Sequence, residues 1–137
     1  MIIPFYQVDA FTDRLFGGNP AGVCPLQDWL ADDIMQKIAM ENNLSETAFF
    51  VPNENGFHIR WFTPTVEVNL CGHATLAAAH VIFQYLGYKP EVISFESRSG
   101  ILNVRKEGEL LVLDFPANKP QRTGLPSDFV QSLNITP

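Results

Sequence analysis

Apolar residues along this chain fall into short runs divided by turn residues, and the spacing within each run predicts its element. Residues 2–9 (Ile-Ile-Pro-Phe-Tyr-Gln-Val-Asp) read as a first strand, with Pro4 at its beginning or on an edge. Phe16-Gly17-Gly18-Asn19-Pro20 then breaks regular structure, because the glycines permit positive φ and Pro20 biases Asn19 away from helix. A short strand follows over Ala21 to Leu26. Asp28 is the expected N-cap of a helix over Trp29 to Glu41, whose Leu30, Ile34 and Ile38 recur at i, i+4 and i+8 and should face a sheet. Asn42-Asn43 ends that helix. Thr47 to Val51 and Phe57 to Phe62 read as strands joined by the turn at Pro52 to Gly56, a hairpin. The run from Gly72 to Leu86 reads as a second helix, with Gly87 as its C-terminal cap. Three more strands are expected at Val92 to Phe95, Ile101 to Arg105 and Leu110 to Phe115, the last two joined by a tight turn at Glu107-Gly108.

The second helix decides the architecture. It is apolar almost all the way round, and a helix without a polar face must be surrounded by protein. Its neighbours are nearly all strands, so the expected fold is α+β, a mixed and mostly antiparallel sheet rolled around a central buried helix. From Pro116 onward Pro, Gly, Ser and Asn become frequent, with a short helix expected at Ser127 to Leu133. Residues 1–116 are therefore read as one domain and 117–137 as a linker. There is no internal repeat.

Composition narrows the function classes. The chain has 137 residues, 46% of them hydrophobic, enough for one ordinary core. Its formal charge is −6, and the nine Lys and Arg are scattered, which argues against a nucleic-acid footprint or a polybasic membrane patch. The apolar stretch from Ala74 to Leu86 is shorter than the roughly 20 residues that span a bilayer. The N-terminus carries no secretory pattern. Cys24 and Cys71 match neither a zinc nor a redox spacing, so a reduced, cytoplasmic compartment is expected.

Two segments can carry chemistry. In Asn42-Asn43-Leu44-Ser45-Glu46-Thr47, Glu46 stands at the edge of an apolar strand, where partial shielding would raise a carboxylate pKa and suit it to proton transfer near neutrality. The alternative is that Ser45 and Glu46 only satisfy backbone donors at the turn. In Leu70-Cys71-Gly72-His73-Ala74-Thr75, free N–H groups at a helix start form a seat for an anion such as a substrate carboxylate. Gly72 would let a ligand approach, His73 would donate to it, and Cys71 would have a depressed thiol pKa and act as base or nucleophile. An ordinary capped helix with a packed cysteine stays open beside that reading. His80, about 10 Å along the helix from His73, is too far to share a metal. It reads as a core histidine, Cys24 as packing and His58 as a solvent-facing strand residue. No metal site and no phosphate cradle are expected.

Several fragments then resemble one family in order and spacing. They are Val8-Asp9-Ala10-Phe11, Gly18-Asn19-Pro20-Ala21, Asn43-Leu44-Ser45-Glu46-Thr47-Ala48-Phe49, Arg60-Trp61-Phe62-Thr63-Pro64, Glu67-Val68-Asn69-Leu70-Cys71-Gly72-His73-Ala74-Thr75 and Ser99-Gly100. Together they resemble the PhzF-like family of phenazine-biosynthesis isomerases. The resemblance implies a diaminopimelate-epimerase-like fold of two similar halves, each a sheet rolled around a helix, with the active site between them. Members of known activity move a proton on a dihydro-3-hydroxyanthranilate without a cofactor. The glutamate responsible corresponds to Glu46. Gly72 and His73 would orient the substrate, and Ser45 and Asn19 would line the cleft. Related diaminopimelate epimerases use a cysteine at the position of Cys71, which keeps a cysteine-dependent epimerase or racemase as an alternative, alongside a non-catalytic small-molecule binder. The family chain is about twice as long, so the resemblance implies an N-terminal half whose partners are a carboxylate-bearing small molecule, a missing second half and, by family tendency, a second copy in a homodimer. Neither nucleic acid nor membrane is an expected partner. The resulting expectation is spatial: Glu46 and the helix start at Gly72-His73 should converge on one pocket.

Overall fold

A computed structural model describes residues 2–117, 119–124 and 132. Among these, eight strands and two helices follow the order β1 (Tyr6–Ala10), β2 (Asn19–Pro25), α1 (Asp32–Asn42), β3 (Thr47–Asn53), β4 (Gly56–Phe62), β5 (Glu67–Val68), α2 (Gly72–Tyr85), β6 (Val92–Ser97), β7 (Gly100–Glu107) and β8 (Leu110–Asp114). The strands form one sheet in the order β1-β2-β3-β4-β6-β7-β8, with β5 paired to β4 off this path. The β2–β3 and β4–β6 pairings are parallel and the other five are antiparallel.

The sheet is rolled. α2 packs against β1, β2 and β3 at one end of the sheet order and against β8 at the other. Ala74, Ala77, Ala78 and Ala79 are buried and lack bulk, which lets the backbone of the sheet come close on several sides of the helix. Val23, Phe50, Ile59, Trp61, Ile93, Phe95, Leu102 and Val104 fill the space around it. Strand period 2 sorts the remaining apolar residues: Ala48 and Phe50 face α2, whereas Phe49 and Val51 face a second cluster under α1.

The expected elements are present, with shifts that have physical causes. The first strand begins at Tyr6 rather than at residue 2. β2 begins at Asn19, so Asn19 and Pro20 pair with Ala10 and Asp9 instead of breaking the chain, and the break is confined to the loop before them. There Gly18 has φ +64, and a Cβ on it would collide with the Ala10 carbonyl oxygen.

The largest correction concerns α1. It starts at Asp32 after Ala31, which makes no side-chain cap, so Asp28 does not cap it and Trp29 and Leu30 precede it. Trp29 instead packs edge-on against His58 at 5.1 Å between ring centroids and lies 5.4 Å from the Arg60 guanidinium. His58 is thereby half-buried rather than solvent-facing. The buried stripe of α1 is Met35 and Ala39 with Ile38 beside them, while Ile34 is exposed. That stripe is turned by about one residue, roughly 100°, from the one expected. Asn43 ends the helix in the left-handed conformation, φ 50, with its N–H donating to the Ala39 carbonyl at 3.2 Å. α2 ends at Tyr85, followed by Gly87 with φ 67. His80 is half-buried rather than in the core, with its ring near Tyr85. The helix expected at Ser127 to Leu133 lies, apart from Ser132, outside the described residues. No helix among the described residues is long and apolar enough to cross a membrane.

Candidate active site

Glu46 immediately precedes β3, and its orientation is fixed through its backbone. Its carbonyl accepts the Gly22 N–H at 3.0 Å, which extends the parallel β2–β3 ladder by one bond. Gly22 is required there by close approach, since a Cβ would stand 2.9 Å from Thr47 Oγ1 and 3.0 Å from Phe5 Cε2. Thr47 is buried, and its Oγ1 accepts a bond from Asn42 Nδ2 at 3.2 Å, tying the end of α1 to the start of β3.

The other side of the site comes from the start of α2. Cys71 is extended, φ −146 and ψ 113, and the helix begins at Gly72. The buried Thr75 returns to this point, donating from Oγ1 to the Cys71 carbonyl at 2.6 Å. The segment leading in is braced by Ser99 Oγ, which donates to the Asn69 carbonyl at 2.9 Å. A Cβ on Gly72 would meet only Phe115 Cε2, at an ordinary 3.7 Å, so internal packing does not demand the glycine.

These two pieces meet. Glu46 Oε2 lies 3.3 Å from His73 Nε2, with side-chain exposures of 20% and 9%. His73 Nδ1 lies 3.4 Å from Cys71 Sγ. The carboxylate is within ion-pair reach of Nε2, yet Nε2 has no aligned hydrogen-bond partner although it is buried. We take the contact as a close electrostatic approach whose attraction needs a protonated imidazole, not as a formed hydrogen bond.

The Cys71 thiol is the opposite of what the helix start led us to expect. Burial pushes it up to about 12, and the charge of Glu46 and a hydrogen bond with it add to the rise. Backbone N–H groups of Ala74 and His73 pull the other way and lose. The cost of burying a thiolate outweighs the favourable N–H groups of the helix start.

Of the other residues singled out, Asn19 opens β2 three positions before Gly22, roughly 10 Å along the strand, at the end of the sheet where Glu46 stands. Ser45 is exposed beside Glu46. Among the described residues neither side chain hydrogen-bonds to the Glu46–Cys71–His73 cluster.

A second polar group went unanticipated. Arg60 Nε and Nη2 donate to Glu67 Oε1 and Oε2 at 2.7 and 2.8 Å, and Nη1 donates to Asp32 at 2.9 Å. Arg98 reaches Glu67 at 2.8 Å. This fork holds β5, the strand from which the chain runs to Cys71. The two-residue strand is too short to show a period, so only the opposite charges seven residues apart hinted at it.

A sheet rolled around a buried helix also describes a hydroxyproline epimerase from Agrobacterium vitis. The likeness has a TM-score of 0.54 at 8% identity, over 77% of this chain and 38% of that one, and shows the fold alone. The chain thus has an α+β fold of the diaminopimelate-epimerase type. A PhzF-family protein from Enterococcus faecalis agrees with it at a TM-score of 0.88 and 48% identity, over 96% of this chain and 50% of that one. Residues 8–131 match the family described as Phenazine biosynthesis-like protein, PhzC-PhzF, and the chain belongs to that family. A Pseudomonas aeruginosa protein named as an uncharacterized isomerase is 56% identical over 137 residues, covering 100% of this chain and 52% of that protein. The chain therefore spans about half the length of the relatives it matches.

Proposed function

We propose that this chain supplies one wall of a cofactor-independent isomerase site, in which Glu46 moves a proton on a small, carboxylate-bearing molecule resembling a cyclic amino acid. The observation that carries the reading is the 3.3 Å approach of Glu46 Oε2 to His73 Nε2, between residues 27 positions apart, beside the first N–H groups of α2. The substrate carboxylate takes those N–H groups, which are favoured for an anion by the helix dipole. The Glu46 carboxylate then removes a proton from an activated C–H bond. The electron pair left behind moves into the adjoining conjugated system, and the protonated Glu46 returns the proton to another carbon on the same face. His73 donates to the substrate and balances the charge that develops.

A cysteine-dependent epimerase is the second reading, and the Cys71 thiol weighs against it. A thiol held near 12 is ionised in roughly one molecule in 100,000 at neutral pH.

Incubation of the protein with a dihydro-3-hydroxyanthranilate in deuterated water tests the proposal by mass spectrometry. Label should enter the product, and Glu46→Gln should abolish its entry while Cys71→Ala leaves most of it. Exchange that survives Glu46→Gln overturns the role given to this residue, and tight binding without exchange in the unmodified protein identifies a binder instead.

A further inference from the structure

The polar cluster has a property that proton transfer does not use. Glu46, Cys71 and His73 each offer one atom able to bind a metal, and these atoms all lie within 4.8 Å of one another. His73 is buried and its Nε2 has no hydrogen-bond partner, although this nitrogen faces the carboxylate across 3.3 Å. A buried donor or acceptor left unpartnered is costly, and a ligand at that position would remove the cost.

Tetrahedral zinc bonds to nitrogen and oxygen at about 2.0–2.1 Å and to sulfur at about 2.3 Å, which sets neighbouring ligand atoms roughly 3.3–3.6 Å apart. The Nε2–Oε2 separation of 3.3 Å already has the length of such an edge. Cys71 Sγ lies 3.4 Å from Nδ1 of the same ring and also contacts the Glu46 carboxylate, so the third corner is filled when the thiol leaves Nδ1 and turns to the carboxylate side. The charges also close, because one carboxylate, one thiolate and a neutral imidazole neutralise a divalent ion, and neutrality is what a buried ion requires. The thiolate and the imidazole, beside a single hard carboxylate, suit zinc above magnesium or calcium.

We infer that Glu46 Oε2, Cys71 Sγ and His73 Nε2 form a site for a single zinc ion, with a water in the fourth position. On binding, the Cys71 S–H bond breaks, a Zn–S bond forms and the proton leaves to solvent. Ion binding is independent of the isomerase reading. Only its consequence rests on that reading: zinc on Oε2 lowers the basicity of the Glu46 carboxylate and stands with its water where the substrate would bind, so the ion acts as an inhibitor.

Cobalt titration of the reduced protein tests the site, with the fold of each variant checked by circular dichroism. The unmodified protein should develop a near-ultraviolet thiolate-to-cobalt band and visible bands of tetrahedral intensity, which added zinc removes. Cys71→Ser should lose the thiolate band and Cys24→Ser should keep it, while His73→Asn and Glu46→Gln should each weaken zinc binding by roughly tenfold or more. Absence of the band at millimolar cobalt, or its survival in Cys71→Ser, overturns the inference. If Cys71→Ser does not fold, X-ray absorption of the zinc-loaded unmodified protein decides, since one sulfur at about 2.3 Å supports the site and a shell of nitrogen and oxygen alone refutes it. A protein that gives the cobalt spectrum but exchanges no deuterium separates failure of the isomerase reading from failure of this one.

Discussion

Replacing Arg60 with Met removes a guanidinium that three elements share while keeping most of its apolar bulk. In the native chain it holds Glu67 by two parallel bonds of 2.7 and 2.8 Å, and both side chains are only 13% exposed. It also reaches Asp32 and lies 5.2 Å from the Phe62 ring centroid. The substitution leaves Glu67 with Arg98 alone, a half-exposed partner. Orphaning one member of a fully buried pair costs about 3–5 kcal/mol, and an exposed pair is worth about 0–1 kcal/mol. The partial burial and the remaining Arg98 place Arg60→Met between these limits, at about 2–3 kcal/mol. For a chain of this size that corresponds to a fall in Tm of roughly 8–12 °C. The pH dependence supplies a sharper check. Hydrogen bonding from Arg60, followed by its charge, holds the Glu67 carboxyl below its usual 4.5. A group with a depressed folded pKa contributes stability that is complete above 4.5 and lost as pH falls through the lower folded value. The stability gap between native and Arg60→Met protein, measured by urea denaturation, should therefore be widest near pH 7 and narrow below about pH 4.5. Lys37→Met serves as the contrast: its pair with Asp33 is mostly exposed and screened by water, and its loss should leave the urea midpoint nearly unchanged. An Arg60→Met protein as stable as the native one at pH 7, or a gap that stays constant down to pH 3, would refute the argument.

Three further outcomes are expected. Gly22→Ala forces a methyl group to 2.9 Å from Thr47 Oγ1 and 3.0 Å from Phe5 Cε2, so it should lower stability by about 1–3 kcal/mol in urea titrations and reduce deuterium exchange by displacing Glu46. Asn43→Gly should be tolerated and Asn43→Val should cost about 1–2 kcal/mol, because position 43 has φ 50; equal stabilities would contradict the left-handed cap. Burial raises the Cys24 thiol from 9.0 to about 12, so stability present below pH 9 should be lost as pH rises towards 12, and Cys24→Ala should flatten that decline.

Legibility from sequence varied with the physics behind each feature. The central place of α2 was readable because a helix with no polar face has few alternatives to enclosure. The start of α1 was not, because Asp28 looks like a cap by type alone, whereas Trp29 is held by His58 and Arg60, residues remote in sequence. The same remoteness turned the buried stripe from Ile34 towards Met35 and Ala39. The convergence of Glu46 with His73 followed from the resemblance of the two motifs to one family, not from spacing. The thiol of Cys71 was misjudged because a helix terminus and burial shift a pKa in opposite directions, and sequence reveals the first without the second.

Why the two motifs meet is a matter of strand register. β2 and β3 are parallel, so a crossover through α1 must return the chain to the end of the sheet from which β2 set out, with Thr47 opposite Gly22, and Asn43 in the left-handed conformation makes that return sharp. Glu46 therefore stands where β3 starts. β4 runs back against β3 with Phe62 opposite Thr47, which brings the end of β4 to the same level. The turn at Thr63 to Val66 is closed by the Thr63 N–H to the Val66 carbonyl at 2.8 Å, and it reverses the chain so that Glu67 pairs with Phe62. Residues 46, 62 and 67 are thus held at one end of the sheet, and α2 begins five residues after the last of them. The turn and the Arg60–Glu67 fork fix where α2 begins without either touching the cluster. The site is consequently set by pairings that belong to the core, and its precision depends on registers that sequence periodicity alone does not determine.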